Sequence, residues 1–221
     1  MASGVFLIGG GREPEGVAAS HAPFLSACDG PVACFVLDDE DADPGRWAGQ
    51  LAGAEVRTVL VSKDRPAAPE DLVGAGGVYV AGGWTPGYQE AVCGHGFATA
   101  LRDSGLPYAG YSAGAAVAAG LALVGGWRFE GVQVCDEDAG EDLEELAVRP
   151  GLGLVPFAVD VHATQWGTLT RLAHAVAGGL VPSGVAVDEH TCVEVTGTEV
   201  RLHGQGSAYR LGLGTLHVLR P

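Results

Sequence analysis

Basic residues are scarce in this chain. It has 12 Lys and Arg against 27 Asp and Glu, which gives a formal net charge of −15 at pH 7. A surface this acidic repels phosphate groups, so the composition argues against nucleic acids and anionic membranes as partners. Apolar runs are short as well, and no basic segment precedes the first of them. We therefore expect neither a leader peptide nor a membrane anchor.

Cysteine is present, but not in a pattern that indicates cross-links or a metal. The five cysteines are odd in number, are widely spaced and include no CxxC pair. This pattern is typical of reduced thiols and not of a disulfide framework. We therefore predict a cytoplasmic protein without a metal site. Nothing in the sequence implies an organic cofactor.

Glycine, by contrast, is abundant, with 36 residues that fall mostly at the ends of short apolar runs. Five such runs precede position 112, and amphipathic stretches separate them, including one predicted helix over 89–102. The runs are Val5–Ile8, Val32–Leu37, Val56–Val61, 78–80 and Tyr108–Tyr111. Alternating strands and helices with continuously apolar strands predict a three-layer α/β fold, in which helices cover both faces of a mainly parallel sheet.

The last third of the chain has a different pattern, with several short extended segments and one strong helix. We expect the sheet to continue through these segments and to end in antiparallel strands. The acidic run 136–145 is predicted to be a solvated loop or a short exposed helix. Because no linker or repeat interrupts the chain, residues 1–221 are predicted to form a single domain. The predicted extended segments are 128–134, 154–161, 185–195, 199–202, 209–211 and 216–218, and the helix is 166–177.

The clearest site signal is the sequence GYSAG at 110–114, between a buried strand and an Ala-rich helix. This context is typical of a nucleophile elbow, whose tight turn exposes the hydroxyl of Ser112 at a helix N-terminus. The N–H of Ala113 could then bind an oxyanion, with Gly82 and Gly83 as the second oxyanion element. The alternatives are a small-residue turn needed only for packing and, for the glycine pair, a simple tight turn.

A serine nucleophile needs a base and an orienting acid. His162 is the preferred base because it ends an apolar run, and the carboxyl ends of strands meet at the site edge of an open α/β sheet. Asp188 and Glu189 follow another apolar run, and only one of these neighbours can face His162 if the strand continues. The residues alone leave that choice open. His21 and His95 are predicted to lie on helix surfaces.

Together these blocks resemble the peptidase E and cyanophycinase family of serine peptidases over nearly the whole chain. The resemblance rests on the opening strand with its glycine triplet at 9–11, the glycine pair at 82–83, the elbow, the segment 160–172 and the segment 184–191. It implies a fold similar to class I glutamine amidotransferases. It also implies Ser112 as nucleophile, His162 as base and Glu189 as acid, with Asp188 as fallback. Gly83 and Ala113 would be the oxyanion donors.

The same resemblance implies the activity, which is hydrolysis of very short peptides through an acyl-enzyme, often with an N-terminal Asp. Cyanophycinase-like members cut β-linked Asp–Arg units. Trp166 and Thr168 stand where such members would carry arginine, so Arg171 is predicted to be the remaining partner of a substrate carboxylate. Trp84 and Trp166 either line an apolar subsite or are ordinary core aromatics. The expected partner is a small peptide, and the chain is a monomer or a homodimer.

Two other functions are compatible with parts of the sequence. An esterase of the α/β-hydrolase type has the order Ser, Asp and late His, which Ser112, Asp188 and either His203 or His217 could supply. The short chain and the missing HGGG-type motif argue against it. A non-catalytic binding module on an amidotransferase-like scaffold is the second alternative, although all the predicted triad residues are present.

Overall fold

The computed structural model describes residues 4–40 and 42–221. All five strands predicted ahead of position 112 are present as β1 to β5. The strands are β1 (Val5–Ile8), β2 (Val32–Leu37), β3 (Val56–Val61), β4 (Gly77–Val80), β5 (Tyr108–Tyr111), β6 (Leu121–Gly125), β7 (Arg128–Phe129), β8 (Val132–Gln133), β9 (Ala147–Pro150), β10 (Ala158–Val161), β11 (Ser183–Val187), β12 (Thr191–Thr196), β13 (Glu199–Gly204), β14 (Ala208–Gly212) and β15 (Thr215–Leu219). The helices are α1 (Pro14–Ala27), α2 (Pro44–Gln50), α3 (Thr85–Val92), α4 (His95–Ser104), α5 (Ala113–Val117) and α6 (Thr168–Ala177). Within the described residues, no helix is both long and apolar enough to cross a membrane.

The main sheet has seven strands in the order β13-β12-β1-β5-β4-β2-β3. Strands β1 to β5 run parallel, whereas β12 is antiparallel to β1, and β13 is antiparallel to β12. Every residue of β1, β2, β4 and β5 is buried, which explains why these strands appear in the sequence as continuous apolar runs. The predicted α/β architecture with a mainly parallel sheet is confirmed.

The order in which the chain adds strands to the main sheet reverses after β3. It moves outward from β1 through α1 to β2 and through α2 to β3, and it returns from β4 through α3 and α4 to β5. Because such crossovers are right-handed, α1 and α2 cover one face of the sheet and α3 and α4 cover the other. The carboxyl ends of β1 and β5, where Ile8 pairs with Tyr111, therefore form the switch point at which open α/β sheets bind ligands.

The main sheet continues, as predicted, into the antiparallel strands β12 and β13, but it does not include the other strands of the last third. Strands β10, β11, β14 and β15 form a separate four-stranded sheet. Helix α6 packs on it around a small core that includes Leu172, Ala186 and Leu211. The predicted extended segment 185–195 is therefore two strands in different sheets. Residues 188–190 cross from one sheet to the other, which brings Glu189 to the edge where β5 ends.

Two local predictions need correction. The amphipathic stretch 89–102 belongs to two helices, α3 and α4, because the chain turns extended at Gly94. Glycine is a poor helix former and allows this break without a side-chain penalty. The acidic run 136–145 contains a 3₁₀ turn at Glu137–Gly140, and Ala139 and Gly140 within it are buried. It is therefore anchored to the protein and is not a wholly solvated loop.

His21, predicted on a helix surface, is fully buried instead. Its Nδ1 donates to the carbonyl of Val17 at 2.7 Å, and its Nε2 lies 3.0 Å from the hydroxyl of Tyr79 on β4. Burial lowers the pKa of His21 to about 4, against an opposing contribution from the Val17 carbonyl. The imidazole is thus a neutral part of the core. The side chain of His95 lies outside the described residues.

Candidate active site

Ser112 occupies the tight turn between β5 and α5. Its φ of 51° and ψ of −111° are unusual for a residue with a side chain, and such strain often marks functional sites. The turn requires its flanking glycines. A Cβ on Gly110 would lie 2.3 Å from the carbonyl carbon of Gly114, and one on Gly114 would lie 2.1 Å from the oxygen of Val80. The strand–turn–helix context predicted for GYSAG is present.

His162 directly follows β10 and reaches Ser112 from the second sheet. Its Nε2 lies 2.9 Å from the Ser112 Oγ, and its backbone N–H donates to the carbonyl of Gly9 at 3.1 Å. Gly10 borders the imidazole so closely that a Cβ there would lie 2.1 Å from Cε1. Burial lowers the pKa of His162, and the hydrogen bond and charge of Glu189 oppose this. The geometry thus holds a neutral imidazole next to a hydroxyl.

Glu189, and not Asp188, contacts the imidazole. Its Oε1 accepts from Nδ1 of His162 at 2.7 Å, which leaves Nε2 unprotonated and able to accept from the Ser112 hydroxyl. The N–H of Glu189 donates to the side-chain oxygen of Gln165 at 3.1 Å. The choice that the residues alone left open is therefore resolved by the geometry in favour of Glu189.

Asp188 faces the other way and is held by four donors. One carboxylate oxygen accepts from the N–H and the hydroxyl of Thr164, at 3.1 and 2.7 Å. The other accepts from the N–H of Ser207 at 3.1 Å and the hydroxyl of Tyr209 at 3.3 Å. Asp188 thus connects the loop after β10 to the loop before β14, and its role is to fix the segment that carries Glu189.

The glycine pair after β4 lies beside the nucleophile. A Cβ on Gly82 would lie 3.1 Å from the Cβ of Ser112, and Gly83 has a φ of 151°. Only glycine adopts this conformation readily, so the backbone can approach a substrate here. The N–H of Ala113, in the first turn of α5, has no intrahelical acceptor and is also available. Both predicted oxyanion elements therefore border Ser112.

Arg171, predicted to bind a substrate carboxylate, is not at the cleft. It is buried and forms a bidentate ion pair with Asp160 on β10, with N–O distances of 2.9 and 2.7 Å. Its remaining donors reach the carbonyls of Gly126 and Ala139. Burial alone would lower the pKa of the guanidinium, but the charge of Asp160 raises it. The predicted substrate role is therefore replaced by a structural one, because the donors are already used inside the protein.

Removing one partner of this pair should cost stability. Arg171→Met leaves the carboxylate of Asp160, which is 1% exposed, without its counter-charge. We expect the free energy of unfolding to fall by about 3 to 5 kcal/mol, measured by urea denaturation. The double variant Asp160→Leu/Arg171→Met should recover most of that loss. A stable Arg171→Met protein that had lost selectivity for acidic substrates would instead support the role predicted from the sequence.

A cleft of about 570 Å³ opens in front of Ser112. Two arginines line this cleft, and neither was among the site residues predicted from the sequence. Arg12 follows the glycine triplet after β1, and Arg46 lies on α2 with its guanidinium carbon 4.3 Å from the ring centroid of Trp47. Arg12 could have been predicted as a cleft residue from its position beside the switch point. Arg46 could not, because its helix meets the cleft only through tertiary packing.

The acidic run also lines the cleft, through Asp138 and Glu141. Trp84, which directly follows the glycine pair, is half-exposed and lines it as well. The carboxylate of Glu141 accepts from the N–H and the hydroxyl of Thr85, at 3.1 and 2.8 Å. It thereby caps the start of α3 just after Gly83. No sequence pattern indicates this contact, because it joins segments 56 residues apart.

The other histidines considered for the site lie elsewhere. His203 on β13 has its Nε2 2.7 Å from a carboxylate oxygen of Glu194 on β12, and His217 lies on the edge strand β15. Neither lines the cleft around Ser112. The order Ser, Asp and late His that would indicate an esterase is therefore not assembled. In residues 4–40 and 42–221, no group of three or more His, Cys, Asp or Glu side chains is arranged to hold a metal ion.

Comparisons with known proteins identify the family and a similar fold. The model of peptidase family S51 matches residues 45–203. No curated protein matches the sequence. A crystal structure of a peptidase from an acI-B1 Actinobacterium is similar in fold, with a TM-score of 0.68 and 16% sequence identity over 98% of this chain and 97% of that one. At this identity the similarity concerns the fold alone.

Proposed function

The chain belongs to peptidase family S51, and from that premise we propose that it is a serine peptidase with Ser112 as its nucleophile. The family assignment confirms the resemblance to peptidase E and cyanophycinase seen in the sequence. The observation that carries the proposal is the connected chain from the Ser112 hydroxyl through His162 to Glu189, with contacts of 2.9 and 2.7 Å. Such a chain is what a weak hydroxyl nucleophile needs for activation.

Acylation follows from the roles of these groups. The Oγ of Ser112 adds to the peptide carbonyl carbon while its proton passes to Nε2 of His162. Glu189 stabilises the resulting imidazolium, and the N–H groups of Gly83 and Ala113 bind the oxyanion. When the tetrahedral species collapses, the C–N bond breaks and the same proton goes to the leaving amine. The product is an ester on Ser112 and a free amine.

Deacylation repeats these steps with water as the nucleophile. His162 takes a proton from a water molecule while the water oxygen adds to the ester carbon. His162 then returns that proton to the Oγ of Ser112 as the C–O bond breaks. The products are a carboxylic acid and the free enzyme. No group beyond the chain and water is needed for the balance of atoms and charge.

The preferred substrate in this proposal is a dipeptide or similar short peptide, with an acidic N-terminal residue favoured. Arg12 and Arg46 are the cationic residues of the cleft around Ser112, and guanidinium groups bind carboxylates in a directed way. Arg46 is held against Trp47, so little side-chain freedom is lost when it binds. Arg46 thus takes the place that the sequence had suggested for Arg171.

A dipeptide panel tests both the reaction and the substrate. The wild type should cleave Asp-Leu about 10- to 100-fold faster in kcat/KM than Asn-Leu, because a hydrogen bond to a charged group contributes about 1.5 to 3 kcal/mol. Arg46→Gln should cleave the two at similar rates while retaining its rate on Ala-Leu. β-Asp-Arg, Leu-Leu and a p-nitrophenyl ester complete the panel.

Each other outcome of the panel has a definite meaning. Equal rates on Asp-Leu and Asn-Leu in the wild type would remove the acidic preference but not the peptidase. Cleavage of β-Asp-Arg would indicate a cyanophycinase-like substrate. Turnover of the ester alone would support the esterase, and no turnover together with no labelling by a serine-directed phosphonate would support a non-catalytic module.

A further inference from the structure

Trp166 stacks on the imidazole of His162. The two rings are nearly parallel, with an interplanar angle of 10° and centroids 4.1 Å apart. The loop after β10 enforces this arrangement, because the N–H of Trp166 donates to the carbonyl of His162 at 2.9 Å. Gly167, with a φ of 70°, then turns the chain into α6. The stack is therefore built by the local backbone and does not depend on a substrate.

The imidazole has a defined set of neighbours. Glu189 binds Nδ1, Ser112 binds Nε2, and the ion pair of Asp160 and Arg171 acts on the ring from the protein interior. Trp166 covers the ring from the cleft, where Trp166 is 46% exposed and His162 only 7%. Trp166 thus contacts the base that gains and then loses a proton in the proposed reaction.

We propose that Trp166 is a positioning residue whose indole face stabilises the imidazolium form of His162 during acylation and deacylation. The proposal rests on the proposed serine-peptidase function. An aromatic face carries negative electrostatic potential and attracts a cation placed over it. His162 is neutral in the free enzyme and cationic while the acyl carbon is tetrahedral. The attraction is therefore stronger in the transition state than in the ground state, which is the condition for an effect on rate.

If Trp166 only shielded His162 from water, its effect on the pKa of His162 would have the opposite sign. If Trp166 only excluded water, its removal would hydrate the imidazolium and raise the pKa of His162. If its π face stabilises the cation, removal lowers that pKa. The general base must be neutral, so kcat/KM falls as the pH falls through this pKa. The acid limb of the pH profile thus moves in opposite directions under the two explanations.

The test compares Trp166→Leu with Trp166→Phe. Leucine keeps an apolar cover without a π face, and phenylalanine keeps the face. For Trp166→Leu, the acid limb of kcat/KM should move to lower pH by about 0.4 to 1.5, and the plateau should fall roughly 2- to 30-fold. Trp166→Phe should stay close to the wild type on both measures. Because the indole is half-exposed, both variants are expected to fold, which circular dichroism checks.

A second readout separates this proposal from the proposed function. The Cε1 proton of His162 is titrated by NMR in the wild type and in both variants, without any substrate. A lower midpoint in Trp166→Leu alone would support the stacking role even if no peptide is cleaved. A midpoint that rises or does not move in Trp166→Leu, or one that moves equally in Trp166→Phe, would overturn it even if the peptidase activity is real.

Discussion

Replacing Ser112 with alanine should lower kcat/KM for the best dipeptide by a factor of about 10³ to 10⁶ while leaving the fold intact. The change removes one oxygen, and with it the atom that forms the acyl-enzyme in the proposed mechanism. The oxyanion donors and the binding cleft remain, so some catalysis above the rate in water should persist. The measurement is steady-state hydrolysis of Asp-Leu and Ala-Leu, with thermal unfolding followed in parallel.

A matched serine provides the control for this substitution. Ser26 lies on the exposed side of α1, where its hydroxyl donates to the carbonyl of Ala22 at 2.8 Å. Ser26→Ala removes the same atom far from the cleft and should leave kcat/KM unchanged. If Ser112→Ala kept its rate within tenfold of the wild type, the nucleophile would be another group and the proposed mechanism would be wrong.

The parts of the fold that the sequence predicted well are those fixed by local patterns. Strands β1, β2, β4 and β5 are buried on both faces, so each one appears as an unbroken apolar run closed by a turn. The elbow is equally local, since the small residues at Gly110 and Gly114 are required by contacts within a few residues and with one neighbouring strand. His162 could be proposed for the same reason, because it ends a run.

The predictions that were wrong depend on contacts between segments that are distant in the sequence. The sequence pattern of 185–195 predicts one extended segment, and nothing in its period shows that the chain leaves one sheet after Val187 and enters another at Thr191. Arg171 has the same sequence context whether it faces the cleft or the interior. Its partner Asp160 lies 11 residues earlier on another element, and only the packing of α6 on the second sheet decides between the two. Arg46 reaches the cleft by packing alone.

The pair Asp188 and Glu189 shows this limit most clearly, since adjacent carboxylates cannot be told apart by composition. The structure separates them by their partners, because Thr164 and Ser207 bind Asp188 and leave Glu189 to face His162. The two side chains should therefore respond differently to the same small change, from carboxylate to amide.

Glu189→Gln should lower kcat by a factor of about 10² to 10⁴ with little effect on stability. The amide cannot stabilise the imidazolium by charge. If it turns its NH₂ toward Nδ1, it also selects the tautomer of His162 that carries the proton on Nε2, which cannot accept from Ser112. The side chain of Glu189 is 23% exposed, so the neutral amide can be solvated. Steady-state kinetics and urea unfolding on the same preparation measure the two effects.

Asp188→Asn is the matched control, and the opposite balance is expected from it. Each carboxylate oxygen of Asp188 accepts two hydrogen bonds, one of them from a backbone N–H, so an NH₂ group in place of either oxygen leaves that N–H without an acceptor in a buried position. The free energy of unfolding should fall by about 1 to 3 kcal/mol, while kcat in the folded fraction should change far less than in Glu189→Gln. If instead Asp188→Asn abolished turnover and Glu189→Gln preserved it, Asp188 would be the acid that orients His162. The 2.7 Å contact between Glu189 and the imidazole would then have no part in catalysis.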